Sequence, residues 1–430
     1  MPRIEGFRGW RYQLGERDSL GALITPPYDV ISPLDRERLS RSHPHNFVRL
    51  ILPRKEHGMD PYQAAAARFR RWCQSGVLVR DQHPSLTIHR QSFVSSTGQL
   101  LTRTGLLGTL PLEERAMDSV LPHENTMAGP RRDRQKLMEA VGAHLSPIFL
   151  LAPDPGGDFH STLEAAAAAH DELDFTDEGG VRHRVSVQAE STFAGRVAEI
   201  LGTGQLIIAD GHHRFLSSVA CYQAMRSAAG ARSSRVREAG RVLVEVVSMA
   251  SPGLCILPIH RGLRGLHRFH GEEFLRRLRQ RFSVTSFAGD PSETQAAGKL
   301  VARVLESSRG TVGLALAGCT GLYLVQIPPP QAPSSPLEPL DVSLLHHRVL
   351  GEELQLSAAQ PREDGVVTFH HDARQLLEAV RSGSIECAFF LRPTSLDDLQ
   401  RVTSSGMTMP QKSTFFHPKI PAGIVVHSFS

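Results

Sequence analysis

A chain of 430 residues exceeds what one ordinary hydrophobic core organises, so two or three lobes are expected. Its 40% hydrophobic and 21% charged residues and formal net charge of +4 describe a soluble globular protein. Two classes are thereby excluded: no apolar run approaches the ~20 residues that cross a bilayer, and no polybasic arm marks a non-specific nucleic-acid binder.

The amino terminus lacks the charged-then-apolar order of a signal peptide, which makes the cytoplasm the expected compartment. The five cysteines are scattered, with none in Cys-x-x-Cys spacing, and read as small apolar core residues rather than a disulfide framework or zinc site. Residues 1–110 read as a mixed α/β region. Pro26-Pro27-Tyr28-Asp29 cannot continue a helix; it is either a rigid loop or one that presents Tyr28 and Asp29 to a substrate. Pro61 opens a helix in which Tyr62, Ala65, Ala66, Phe69 and Trp72 recur at helical spacing until Ser75-Gly76. Ser85 to Phe93 and Leu100 to Leu110 flank a polar turn and form the pattern of a β-hairpin.

Residues 111–250 carry most of the chemistry. Leu121-Pro122-His123-Glu124 is a Pro-flanked loop whose carboxylate can deprotonate a substrate hydroxyl, with His123 beside it as a substrate contact; alternatively the pair braces the helix that opens at Gly129. The stretch 154–192 reads as an insertion, with an Ala-rich helix from Leu163 to Leu173 and a hairpin turning at Glu178-Gly179-Gly180. Next comes the apolar run Leu206 to Ala209, then Asp210-Gly211-His212-His213-Arg214, then helical spacing from Phe215 to Met225. A motif at the point where a buried strand hands over to a helix suits phosphate, because the first helical N–H groups lack internal partners and the dipole adds partial positive charge. Gly211 lets the backbone approach a ligand, His212 and Arg214 can bind phosphate oxygens, His213 is a candidate catalytic group, and Asp210 can hold Mg²⁺ or orient a histidine. The plain alternative is an Asp210 helix cap followed by two surface histidines.

Residues 251–430 form a third region. Val242 to Met249 and Leu254 to Ile259 read as strands around a Pro252-Gly253 turn; His260-Arg261 then either contacts a phosphate or forms a surface salt-bridged pair. Glu272 to Phe282 is an amphipathic helix, and Val312 to Ala317 with Thr320 to Ile327 a hairpin. The Pro-rich connector 328–339 cannot be regular structure. Beyond it, Val342 to Leu354 reads as a helix, Val366 to His370 as a strand, Asp372 to Ser382 as a helix and Cys387 to Leu391 as a strand, an order that suggests α/β packing. The segment Met409 to Lys419 mixes lysines, hydroxyls and aromatics between prolines, and either plugs the core or returns Lys412 to a phosphate.

Asp210 to Arg214 with its preceding Ile-Ile-Ala, Pro26 to Ile31, Leu121 to Glu124, Leu145 to Phe149, Ile256 to Arg261 and Met409 to Thr414 together resemble a bacterial and archaeal family catalogued as a domain of unknown function, number one thousand and fifteen. The Asp-Gly-His-His-Arg element also resembles the phosphate-binding motif of ParB-like proteins, the superfamily that contains sulfiredoxin and an archaeal free-serine kinase. These resemblances imply an α+β fold: a ParB/sulfiredoxin-like mixed core, an N-terminal strand-rich region and a C-terminal α/β lobe. They further imply that Glu124, a glutamate ahead of the motif, is the general base, and that Lys412 contacts phosphate.

The sequence contains no Walker loop, kinase Gly-rich loop, dinucleotide fingerprint or Gly-x-Ser-x-Gly elbow. Phosphoryl transfer needs a phosphate cradle, a Mg²⁺ and a base, and the motif with Glu124 offers these. The resulting expectation is a Mg²⁺-dependent small-molecule phosphotransferase; that it is a free L-serine kinase forming O-phospho-L-serine from a nucleotide or pyrophosphate is implied by the resemblance alone. Two alternatives stand. One is a non-catalytic nucleotide-binding switch of ParB-like type, for which neither a helix-turn-helix nor a basic face is evident. The other is a metal-dependent phosphohydrolase using His212, His213, His370, His371 and Asp372, against which the divergence of adjacent histidine side chains argues.

Overall fold

The structure, a computed structural model, describes residues 2–15, 19–56, 58–95, 97–113, 118–125, 128–169, 173–202, 204–229, 233–287, 295–356 and 365–429. The chain divides into two units. Met1–Pro122, Thr126–Cys255 and Pro418–Ser430 form the first; His123–Asn125 and Ile256–His417 form the second. The fold is α+β.

The first unit is built on an eight-stranded mixed sheet. Its strands are β1 (Leu86–Val94), β2 (Leu100–Pro111), β3 (Val120–Pro122), β4 (Ile148–Ala152), β5 (Leu173–Thr176), β6 (Arg182–Gln188), β7 (Leu206–Asp210) and β8 (Arg241–Ser248), in the spatial order β3-β7-β4-β8-β2-β1-β6-β5. β7 runs parallel to β3 and antiparallel to β4, and β4 runs parallel to β8. All five residues of β4 are buried, as a strand covered on both faces requires. Against the sheet pack α3 (Asp158–Ala168) through Phe159 and Leu163, α4 (Ser191–Leu201) through Val197 and Leu201, and α5 (His212–Ala229) through Phe215 and Val219. Ile88, Leu106, Leu150, Ile208, Val244 and Val246 meet them from the strands. A second cluster joins Phe69 and Trp72 of α1 (Pro61–Gln74) to Phe47, Leu78, Leu145, Ala422 and Val426. α2 (Ala128–Val141) contributes Leu137 to it.

Helix α1 follows the sequence pattern: Asp60 accepts from the N–H groups of Tyr62 and Gln63, Pro61 sits in the first turn, and Gly76 takes φ 75° just past the end. Two helices differ from expectation. α3 begins at Asp158 rather than Leu163, because the Asp154 carboxylate accepts from the N–H groups of Phe159 and His160, and Leu173 starts a strand instead. α5 begins at His212 rather than Phe215, which puts His212, His213 and Arg214 into its first turn. A further helix, Pro33–Ser42, escapes the periodicity reading although Ser32 caps it and Pro33 opens it.

A buried polar chain crosses the sheet. Asp177 meets His183 Nε2 at 3.1 Å, His183 Nδ1 meets His89 Nε2 at 2.9 Å, and His89 Nδ1 meets Glu245 at 3.0 Å.

The second unit holds a six-stranded sheet of β9 (His260–Leu263), β10 (Ser283–Phe287), β11 (Thr311–Leu316), β12 (Leu322–Gln326), β13 (Val367–His370) and β14 (Cys387–Phe390), ordered β10-β12-β11-β14-β9-β13. Every one of its pairings is antiparallel, so the strand-helix-strand order here gives α+β rather than crossover packing. Helices α6 (Gly271–Arg281), α7 (Ala296–Glu306) and α8 (Ala373–Arg381) pack on it through Phe274, Leu300 and Leu376. Residues 328–339 contain neither helix nor strand, in keeping with their prolines. The expected helix Val342–Leu354 is instead one α-turn, Asp341–Leu344, followed by a π-helical stretch to Gly351. The expected strand Leu254–Ile259 is shortened to Cys255–Leu257, and His260–Arg261 open β9 rather than leaving a strand end.

All five cysteines are free; Cys221 and Cys387 are buried, and Cys73, Cys255 and Cys319 are half-buried. Among the described residues, no helix is long and apolar enough to cross a membrane.

Candidate functional site

In the first unit the motif sits where β7 becomes α5. The pairing of β7 with β4 slips by one residue between Ile208 and Asp210, so that Asp210 stands opposite Phe149. That irregularity takes Asp210 out of the alternation that sends Leu206 and Ile208 into the core. Gly211 then adopts φ +93°, and its carbonyl accepts the first helical bond from Phe215 N–H at 2.9 Å. One turn on, Arg214 returns to the strand end: Nη2 donates to Asp210 Oδ2 at 3.1 Å, and Nη1 to the Pro147 carbonyl at 2.5 Å. The second Asp210 oxygen faces Lys419 Nζ at 3.6 Å.

Arg214 also lines a small cavity of about 40 Å³, with Tyr28, Arg134, His144, Ser146 and Ser218 among its walls beside the apolar Leu137 and Ile148. The Arg134 guanidinium lies 4.1 Å over the Tyr28 ring. Burial, reinforced by the neighbouring Asp29 carboxylate, pushes the Tyr28 hydroxyl up to about 12, although Arg214 and Arg134 pull the other way. Tyr28 is therefore a neutral hydroxyl at physiological pH. Asp29 itself is exposed.

Gly211 allows a direct prediction. A Cβ there would stand 3.0 Å from Arg214 Nη2, on a backbone that side-chain-bearing residues rarely adopt. Gly211→Ala is expected to lose about 1–3 kcal/mol in urea unfolding and to disturb the Arg214–Asp210 pair.

Other residues singled out in the sequence fall in the second unit. His123 is buried; its Nε2 lies 2.8 Å from Thr414 Oγ1 and 3.3 Å from Glu124 Oε1. Glu124 Oε2 accepts the backbone N–H of Lys412 at 3.2 Å, and a bridge between Glu124 and Met409 holds the two segments side by side. Lys412 takes φ 57°, one of three non-glycine residues with positive φ among those described, and its side chain is exposed. Its carbonyl accepts from Arg261 Nη2 at 2.9 Å. Arg261 is fully buried, donates through Nη1 to the Ile259 carbonyl at 2.6 Å, and lies 4.8 Å over the Phe369 ring. Burial pulls its guanidinium down to about 9, partly offset by the Glu124 carboxylate. His260 Nδ1 accepts the Leu391 N–H at 3.1 Å, and burial beside Arg261 drives the ring down to about 3.

The structure thus gathers Asp210, Gly211, Arg214 and Tyr28 in the first unit, and His123, Glu124, Arg261 and Lys412 in the second. Lys419 and Arg134 are missed by the sequence reading. Lys419 ends the segment Met409 to Lys419, whereas nothing local distinguishes Arg134 from the other arginines at its helix start.

The family model described as "Protein of unknown function (DUF1015)" matches residues 4–343. The chain belongs to this DUF1015 family. Among solved structures, this member is similar to a conserved hypothetical protein from Pyrococcus furiosus at 14% identity and a TM-score of 0.35, covering 75% of this chain and 94% of that one. A free serine kinase variant in complex with ADP gives 12% identity and a TM-score of 0.37, covering 74% and 91%. SbnI with a C-terminal truncation, from Staphylococcus aureus, gives 13% and 0.35, covering 73% and 84%. No curated protein matches the sequence. Among the described residues of this DUF1015 member, no group of three or more His, Cys, Asp or Glu side chains is placed to hold a metal ion.

Proposed function

We propose that the protein is a small-molecule phosphotransferase whose phosphate site is the junction of β7 and α5, and most specifically a free L-serine kinase forming O-phospho-L-serine. One observation carries the reading: Asp210 stands at a strand end beside the Arg214 guanidinium and the Lys419 ammonium, directly before the first turn of an 18-residue helix. Cations and outward N–H groups at one place form a cradle for phosphate oxygens. The serine acceptor, and a nucleotide or pyrophosphate donor, follow from the resemblance of the Asp-Gly-His-His-Arg motif to that of the free-serine kinase. Asp210, whose two oxygens face Arg214 and Lys419, is the residue that would hold Mg²⁺ once the donor's phosphates draw those cations away and complete the coordination. The ion, when bound, neutralises charge on the transferred group.

The test is incubation with Mg²⁺, a panel of ATP, ADP and pyrophosphate, and pooled amino acids and polyols, followed by mass spectrometry for the gain of one phosphoryl group. Phosphoserine is the expected product. Nucleotide binding without transfer to any acceptor would favour the switch reading instead.

Arg214→Lys is expected to weaken donor binding by about tenfold or more although charge is kept, because an ammonium cannot span Asp210 and the Pro147 carbonyl as the guanidinium fork does. Calorimetric titration of the donor measures this. Unchanged affinity would mean that Arg214 only braces the helix.

A further inference from the structure

We propose that Lys419 is a phosphate-contacting residue of the Asp210 site and that Arg103 and Gln91 are the positioning residues that hold it there; the proposal rests on the phosphate-site reading above. Lys419 Nζ faces Asp210 Oδ1 at 3.6 Å while Arg214 takes Oδ2 at 3.1 Å. One carboxylate between two cations leaves these three side chains with a net charge of +1, and a phosphate group entering the junction finds both cations at one point.

A lysine stem is flexible and loses about 2 kcal/mol of rotamer freedom when it is fixed, so placing its head requires a fixed backbone. Pro418 and Lys419 lie outside any helix or strand. Their carbonyls are held instead by two side chains from the sheet: Arg103 Nη2 donates to the Pro418 carbonyl at 2.6 Å, and Gln91 Nε2 to the Lys419 carbonyl at 3.1 Å. Arg103 and Gln91 are directly paired across β2 and β1, Arg103 also donates to Gln91 Oε1, and each is only 1% exposed. Two successive carbonyls are thereby gripped by one mutually bonded pair.

Burying a guanidinium is costly, and an apolar pair of similar volume at adjacent core positions is often no less stable. The cost is offset here by the Phe149 ring, 4.8 Å below the Arg103 guanidinium, and by the Glu245 carboxylate at the end of the buried histidine chain. Burial lowers the guanidinium only to about 10, so it remains a cation at neutral pH. Phe149 is also the residue opposite Asp210. Arg103 therefore touches the backbone that carries Lys419 and the ring that backs Asp210, which registers the two members of the ion pair against each other.

The experiment is calorimetric titration of the full chain with pyrophosphate and with ADP, each with Mg²⁺, for wild type, Lys419→Met, Gln91→Met and the double variant; thermal unfolding confirms that each is folded. Lys419→Met should weaken binding by about tenfold or more, the scale of one lost charge-assisted hydrogen bond. Gln91→Met should weaken it several-fold, with no further loss in the double variant, because a positioning residue acts only through the group it positions. Wild-type affinity in Lys419→Met would overturn the contact. Additive losses would overturn the positioning role, since a merely structural glutamine costs the same with or without Lys419. Wild-type protein that binds neither probe would overturn the phosphate-site reading itself, and this inference with it.

Discussion

Glutamine in place of Glu124, the general base under the proposed function, is expected to lower phosphoryl transfer by about 10²-fold or more while leaving donor affinity nearly intact. A serine hydroxyl has a high pKa, so its attack needs a carboxylate to take the proton as the bond forms. Glutamine has the same shape, and its amide oxygen still accepts the Lys412 N–H that Glu124 Oε2 now accepts at 3.2 Å, so the loop is retained while the basic oxygen is lost. The change removes the carboxylate charge that partly offsets the burial of Arg261, whose hydrogen bonds to the Ile259 and Lys412 carbonyls do not involve Glu124. Initial rates of phosphoserine formation and calorimetric donor affinity, measured on one preparation, separate the two effects. Full activity in this variant would place the base elsewhere, with Asp29 or His213 next to test.

The second large effect is acid destabilisation of the second unit above the range in which carboxylates titrate. Burial drives His260 and His346 down to about 3, with the Arg261 charge adding to the effect in both. Both rings are neutral in the fold and titrate near 6.5 once unfolded. A depressed pKa contributes stability that is complete above the unfolded value and lost as pH falls toward the folded one; each ring costs about 1.4 kcal/mol per pH unit across that window. Between pH 6.5 and 4.5 the two together should remove roughly 4–5 kcal/mol, a large part of a typical domain's stability. His346 lies 3.4 Å from Arg261 Nε, in position to accept its hydrogen as a neutral ring. Urea unfolding followed across this range measures the slope, and His346→Phe should reduce it by about half. A slope unchanged in that variant would assign the acid sensitivity to other groups, His144 and His427 in the first unit being candidates because burial lowers both.

What is legible in the sequence follows from which interactions are local. Asp60, Pro61 and Gly76 carry the start and stop of α1 within the helix's own neighbourhood, and Leu206 to Ala209 followed by Asp210-Gly211 carries the strand-to-helix handover. The pattern misses α3 by five residues because its start is held by the Asp154 carboxylate, which accepts from the N–H groups of Phe159 and His160, rather than marked by the first apolar repeat. The motif itself is readable because its residues are consecutive. Lys419 is not, since its partners Asp210, Arg103 and Gln91 come from distant parts of the chain and no periodicity links them. The same holds for Glu124: its loop joins the second unit through Met409 and Lys412, contacts that only the folded chain creates.

The way the chain enters and leaves the first unit also bears on its synthesis. Residues 256–417 belong to the second unit, and the chain then returns so that Pro418–Ser430 complete the first. On that return, Ala422 bridges to Thr25, Val426 bridges to Trp10, and His427–Ser428 pair with Ala143–His144. On a ribosome that adds about 5–20 residues per second, those early partners must wait until residues 418–430 have been made before these strand partners arrive. Residues 256–417 carry their own core and can pack while the first unit is still open. The order of completion is therefore the reverse of the order of translation: the unit that begins first closes last, and Asp210 acquires Lys419 only in that final step.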